Sequence, residues 1–156
     1  KNIMKALYDC GALVSIHKDE ITVTRDKLNA FNFDATHCPD LFPPLVALAA
    51  YCKGTTTIKG VNRLLHKESN RALTLRDEFK KMNVFIDLNG DVMTIKGGKE
   101  IKGAKVSSHN DHRIAMACAI TALGAKGNTI IENADAVKKS YPDFFKNLKE
   151  LKALVK

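Results

Sequence analysis

Aromatic side chains are scarce in this 156-residue chain: tyrosine and phenylalanine make up 6% of it and tryptophan is absent. A groove for single-stranded nucleic acid needs rings on which bases stack, and so few rings supply such a platform poorly. Dense basic runs are missing too, since the lysines are spread along the whole sequence, and no nucleic-acid partner is expected. No apolar stretch approaches the roughly 20 residues needed to span a bilayer. No signal-peptide pattern opens the chain, so the expectation is a soluble, cytoplasmic protein without a membrane partner. The four cysteines, Cys10, Cys38, Cys52 and Cys118, lack C-x-x-C spacing. Cys52 and Cys118 lie in apolar helical runs and read as buried free thiols of a reducing compartment. The strings H-E-x-x-H and G-x-G-x-x-G are absent, and His109-x-x-His112 has no third ligand at matching spacing. Neither a metal nor a cofactor is expected.

What the chain does have is positive charge: 25 Lys+Arg against 17 Asp+Glu, a formal +8. That balance points to an anionic partner. The length suits one domain or a piece of a longer protein, and the start at Lys1 without an initiating methionine fits the latter. The form of the partner is suggested by four charged clusters at predicted helix starts. In Asn110-Asp111-His112-Arg113-Ile114-Ala115-Met116-Ala117, Arg113 falls in a first helical turn, where the positive end of the macrodipole disfavours a cation. An anion bound between Arg113 and the free backbone N–H groups removes the conflict. Lys67-Glu68-Ser69-Asn70-Arg71 opens a second helix, and Pro39-Asp40 a third, with Asp40 as candidate N-cap. Lys138-Lys139-Ser140-Tyr141-Pro142-Asp143 opens the last, with Pro142 suited to the first helical position. Facing one cavity, these starts combine cations, dipoles and carboxylates, which suits an anionic substrate that needs proton transfer.

Alternating or β-branched runs predict strands at Ala12–Lys18, Glu20–Arg25, Thr55–Lys59, Val84–Leu88, Val92–Lys96 and Thr129–Glu132. Asn89-Gly90 predicts a type I′ hairpin between the fourth and fifth, closed by Gly97-Gly98, which reads as a loop. Leu41–Ala50 and Ile114–Leu123 are apolar almost all round, as helices buried between layers are. Arg71–Met82 carries one apolar stripe (Ala72, Leu75, Phe79, Met82), and Pro142–Leu154 another (Phe145, Leu148, Leu151, Leu154). Leu48–Ile58 matches Thr121–Ile131 in the order buried helix, Lys-Gly, strand. The repeating unit is therefore buried helix, strand, charged loop, outer helix and strand pair.

Together with Cys38-Pro39-Asp40 and Lys139-Ser140-Tyr141-Pro142-Asp143-Phe144-Phe145, the Lys67–Arg71 and Asn110–Met116 strings resemble the EPSP synthase (3-phosphoshikimate 1-carboxyvinyltransferase) family. The resemblance covers nearly the whole chain, 1–156, as most of that family's C-terminal domain. It implies an α/β (α+β) fold of repeated βαβαββ-like units around buried helices, with about two of three units present and the N-terminal domain missing. It further implies transfer of the enolpyruvyl group of phosphoenolpyruvate to the 5-hydroxyl of shikimate 3-phosphate, in aromatic amino-acid biosynthesis, with release of phosphate. On that resemblance Asp40 is the carboxylate beside the 5-hydroxyl and Glu68 handles the proton of the phosphoenolpyruvate carbon. Lys67 lies between both substrates, while Arg71, Arg113 and Lys139 hold phosphoenolpyruvate, with Asp111 and His112 in support. A fragment lacking the first domain is expected to show no turnover alone.

Each residue has a plainer reading beside it. Asp40 and Asp111 fit N-caps, Glu68 and Arg71 a surface ion pair, and Lys139 a solvated lysine; the joint occurrence of four motifs favours the site. Asn70 departs from the aspartate usual in the family's K-E-x-D-R string, and Arg63 receives no role. The alternatives are the sister enolpyruvyl transferase of UDP-N-acetylglucosamine, which is not expected to carry the N-D-H-R-I-A-M-A string, and a basic nucleic-acid-binding module.

Overall fold

The computed structural model describes residues 2–24, 26–65 and 67–156. Arg25, the last residue of the second predicted strand, lies outside them. Helix α1 (Asn2–Asp9) leads into an antiparallel hairpin of β1 (Leu13–His17) and β2 (Glu20–Thr24). Then come β3 (Asn32–Asp34), a 3-10 turn at Pro39–Leu41, α2 (Phe42–Tyr51), β4 (Gly54–Lys59), a 3-10 turn at Val61–Leu64, α3 (Arg71–Lys81), β5 (Phe85–Asn89) and β6 (Val92–Gly97). The chain continues with β7 (Lys105–Ser107), α4 (His112–Ala122), β8 (Ile130–Glu132), a 3-10 turn at Ala134–Lys139 and α5 (Phe144–Glu150).

Strand β3 runs parallel to β4 across the crossover through α2, and β7 runs parallel to β8 across α4. Both crossovers begin with a single parallel bridge, Asn29 to Lys53 in one and Lys102 to Lys126 in the other. The sheet order β3-β4-β6-β5 closes a complete βαβαββ unit from Asn32 to Gly97. Before it stands an αββ piece and after it a βαβα piece. The repeat expected from sequence is therefore present as one whole unit flanked by two partial ones. Its opening strands β3 and β7 escaped notice because three residues are too few to display a period of two.

The two crossover helices are buried as their all-round apolarity demands, and they lie side by side. The Tyr51 hydroxyl ties them together, donating to the Thr121 carbonyl at 2.6 Å and accepting from the Gly124 N–H at 3.0 Å. On β4 and β6 alternate residues Thr56, Ile58, Met93 and Ile95 turn inward. The α3 stripe of Ala72, Leu75, Phe79 and Met82 is buried against the same core, each large side chain contributing roughly 1.5–3 kcal/mol. Thr74 on the same helix is also buried.

Two expectations need correction. The β5–β6 loop is Gly90-Asp91, with Asn89 paired to Val92, and of these residues only Gly90 has positive φ (56°). Glycine as the first linking residue follows the type II′ pattern instead of I′. Helix α5 begins at Phe144, two residues after Pro142, and stops at Glu150, where Lys152 turns left-handed (φ 68°); Leu151 and Leu154 are exposed, so only Phe145 and Leu148 of its predicted stripe pack inward. All four cysteines are free; burial pushes the Cys52 and Cys118 thiols up to about 12. Among the described residues no helix is long and apolar enough to cross a membrane.

Candidate active site

Two helix starts form the floor of the site. Asn70 caps α3, its side-chain oxygen accepting from the Leu73 N–H at 3.3 Å, and Asp111 caps α4, accepting from the Arg113 N–H at 3.0 Å. Asn70, where an aspartate was the usual residue, thus serves as an N-cap. Asp40 does not cap. It sits within the 3-10 turn at Pro39–Leu41, and α2 starts at Phe42 with no side-chain cap. The reason is local: an N-cap bonds to the N–H of the second or third helical residue, which for Asp40 are Phe42 and Pro43; Pro43 has none, and the Phe42 N–H is given to the Pro39 carbonyl within the 3-10 turn.

Asp40 is freed to accept from cations instead. Its Oδ1 accepts from Arg71 Nη1 at 2.9 Å and lies 3.3 Å from Lys67 Nζ; its Oδ2 lies 3.4 Å from Arg113 Nη2. Arg71, 2% exposed, reaches on to Asp111, with Nε to Oδ2 at 2.9 Å and Nη2 to Oδ1 at 3.2 Å. The fork geometry of a guanidinium makes this two-point grip possible. Ser69 Oγ completes the Asp111 shell at 3.1 Å. Burial alone would raise both carboxyl groups. Arg71, with the Arg113 N–H and Ser69, outweighs it and holds Asp111 below its ordinary value; Lys67, Arg113 and Arg71 do the same for Asp40.

Glu68 faces the other way. Its carboxylate lies 2.9–3.0 Å from Nδ1 of the buried His112 and 3.7 Å from Lys139 Nζ. Lys139 donates to the Asn110 carbonyl at 2.6 Å. The structure therefore brings together all of Asp40, Lys67, Glu68, Arg71, Asp111, His112, Arg113 and Lys139. Four cations face three carboxylates there, so a positive excess remains for an anion. The ion pair between Glu68 and Arg71 is not formed, because Glu68 takes His112 and Lys139 as partners while Arg71 turns inward. An open cavity of about 520 Å³ adjoins Lys139 and Asn110, walled on its far side by Asn133–Ala136.

His109 and His112 do not converge: His109 Nε2 lies 2.9 Å from Glu78, and His112 serves Glu68. Ligand atoms of Glu68, Asp111 and His112 do lie within 4.8 Å of one another. Asp111 is already gripped by the Arg71 cation, which a metal would have to displace.

One buried charged group went unrecognised in the sequence. Glu78 is 2% exposed, and its carboxylate accepts from Lys81 Nζ at 2.7 and 2.8 Å and from the Ser107 N–H at 2.8 Å. These partners and His109 hold it below its ordinary value despite burial. The signal was available. Glu78 stands three residues after Leu75 and four before Met82, a carboxylate on the apolar stripe of α3.

The model of the EPSP synthase (3-phosphoshikimate 1-carboxyvinyltransferase) family matches residues 1–148. The 3-phosphoshikimate 1-carboxyvinyltransferase of Methanocella arvoryzae is 41% identical over 155 residues, 98% of this chain and 36% of that protein. The enzymes of the same name from Clostridium novyi and Thermococcus kodakarensis are 38% and 40% identical, across 99% and 95% of this chain and 36% and 37% of theirs. An EPSP synthase structure from Acinetobacter baumannii superposes with a TM-score of 0.86 at 24% identity, over 96% of this chain and 38% of that one. The chain thus spans little more than a third of the length of the relatives it matches.

Proposed function

Because the chain belongs to the EPSP synthase family, we propose that it forms part of the C-terminal domain of an enzyme that transfers the enolpyruvyl group of phosphoenolpyruvate to the 5-hydroxyl of shikimate 3-phosphate and releases phosphate. The observation that carries this reading is the excess of cation at one end of α3 and α4, set beside two carboxylates of different surroundings, Asp40 and Glu68.

Transfer needs a base for the 5-hydroxyl proton and an acid for the vinyl carbon. Asp40 takes the hydroxyl proton as the oxygen adds to carbon 2 of phosphoenolpyruvate. Glu68 delivers a proton to carbon 3, giving a methyl group in the tetrahedral intermediate. Breaking the bond between carbon 2 and the phosphate oxygen then expels phosphate, which leaves with the proton that Asp40 took from the hydroxyl, and the same Glu68, turned base, removes one methyl proton to restore the double bond. His112 Nδ1 beside Glu68 fixes that carboxylate and steadies either protonation state. Arg113 and Lys139 hold the phosphate and carboxylate of phosphoenolpyruvate, and Lys67 stands between the two substrates. Arg71, implied by the family resemblance to touch phosphoenolpyruvate directly, is better suited by its burial to aim Asp40 and Asp111.

These residues supply one wall. The remaining length, including an N-terminal domain, closes the site against water; accordingly the 156 residues alone should release no phosphate above background from the two substrates. In the full-length enzyme Asp40→Asn and Glu68→Gln should each lower kcat by about 10²–10⁴, with smaller effects on substrate binding. Near-wild-type turnover by either variant would remove that carboxylate from the mechanism.

A further inference from the structure

Between β7 and α4 the backbone makes an unusual reversal. His109 (φ 49°) and Asn110 (φ 61°) both occupy the left-handed region, which residues other than glycine rarely enter, still less in succession. Side chains hold it there: Ser107 Oγ accepts from the His109 N–H at 3.1 Å and Ser108 Oγ from the Asn110 N–H at 3.0 Å. Ser108 Oγ also donates to the Asn133 carbonyl at 2.9 Å, tying the reversal to the turn that carries Lys139. The products of this reversal are the Asn110 carbonyl, on which Lys139 Nζ rests, and Asp111, which caps α4.

Glu78 grips the segment at two points from the third turn of α3. Its Oε2 accepts from the Ser107 N–H and its Oε1 lies against the His109 ring, one residue on each side of Ser108. Lys81 fastens both oxygens. A carboxylate placed only to glue α3 to β7 would need the strand N–H alone; the second grip, on His109, fixes the strained residue itself.

We infer that Glu78 is a positioning residue of the anion site, acting through Ser107, His109 and the Asn110 carbonyl on the ammonium of Lys139. This rests on the reading above, in which Lys139 holds phosphoenolpyruvate. Loss of the grip lets the reversal relax, the Asn110 carbonyl shifts, and Lys139 loses the acceptor that aims it.

The test uses the full-length enzyme with phosphoenolpyruvate as probe in the presence of shikimate 3-phosphate, reading Kd by calorimetry in a Glu68→Gln background that should not turn over, and KM and kcat by phosphate release and Tm with Glu68 in place. Glu78→Ala and His109→Ala should each raise Kd and KM for phosphoenolpyruvate roughly three- to thirtyfold, inside the range of coupling within one network, with kcat less affected. Glu78→Gln should fall between, since its amide oxygen still accepts from the Ser107 N–H. In a Lys139→Ala background neither alanine change should weaken binding further. The His109 side chain is half exposed, so His109→Ala carries the test if Glu78→Ala does not fold. A lowered Tm with unchanged Kd, or effects that multiply with that of Lys139→Ala, would overturn the positioning role. An unchanged Kd in Lys139→Ala alone would instead overturn the anion reading beneath it, and this inference with it.

Discussion

Two arginines break the same local rule and resolve it differently. Arg71 is the first residue of α3 and Arg113 the second of α4, both at the positive end of a helix dipole. Arg71 is 2% exposed and is held at 2.9 Å by each of two aspartates, so protein carboxylates answer its charge. Arg113 keeps a third of its side chain in solvent, and among the described residues its guanidinium bonds only to Asp40, through two contacts of 3.4 Å. Contacts that long are weak for a charge-assisted bond. The first arginine is a finished strut, and the second is left with attraction to spare for something not part of the chain.

The sharpest way to break this comparison is at the strut. Removing one partner of a buried ion pair leaves a charge uncompensated and costs about 3–5 kcal/mol, because Asp111, fully buried, would keep its carboxylate without Arg71. Arg71→Ala should therefore lower the denaturation free energy of the full-length enzyme by that amount, measured in urea. A loss below about 1 kcal/mol, the worth of an exposed pair, would erase the distinction between the two arginines.

The complementary change is smaller and of another kind. Arg113→Ala should weaken phosphoenolpyruvate binding by about 1.5–3 kcal/mol, the worth of a hydrogen bond to a charged group. Stability should hold or rise by a few tenths of a kcal/mol, roughly the dipole penalty on a cation at a helix start. Calorimetry and melts on one preparation separate the two. Unchanged affinity with a large fall in Tm would make Arg113 a second strut.

Both arginines were visible in the sequence, but their difference was not. Helical stripes and the Lys-Gly repeat placed α2, α3 and α4 within a residue or two, since long periodic segments carry their own signal. The convergence of four clusters depended on contacts between residues 27 to 73 positions apart, such as Lys67 with Asp40 and Arg113 with Asp40, which no local pattern encodes. Asp40 shows how a local cue was available and unread: Pro43 leaves a cap at Asp40 without the third-position N–H. Glu78 was hidden in a similar way, a charge on an apolar stripe that propensity alone places in solvent.

The least disruptive probe of the comparison is the acidity of the two aspartates. Each carboxyl group has its folded value held below the ordinary 3.8. The stabilisation from the ionised form is therefore complete above that ordinary value and is lost as pH falls through the lower folded one. Asp111 owes its depression chiefly to Arg71 and its backbone and serine donors, all internal to the chain. Asp40 owes its own largely to Lys67 and Arg113, which an anionic substrate would claim. Binding should thus draw cations from Asp40, add negative charge nearby and raise its pKa, making it a better base when the substrate hydroxyl arrives, while Asp111 stays where it was. Carbon-13 titration of both carboxyl groups in full-length Glu68→Gln enzyme, which should bind without turning over, would read this directly. With phosphoenolpyruvate and shikimate 3-phosphate present, the Asp40 midpoint should move up and the Asp111 midpoint should not. Equal movement of both, or of neither, would mean that Asp40 is as firmly committed to its cations as Asp111 is to Arg71, and that it does not serve as the base.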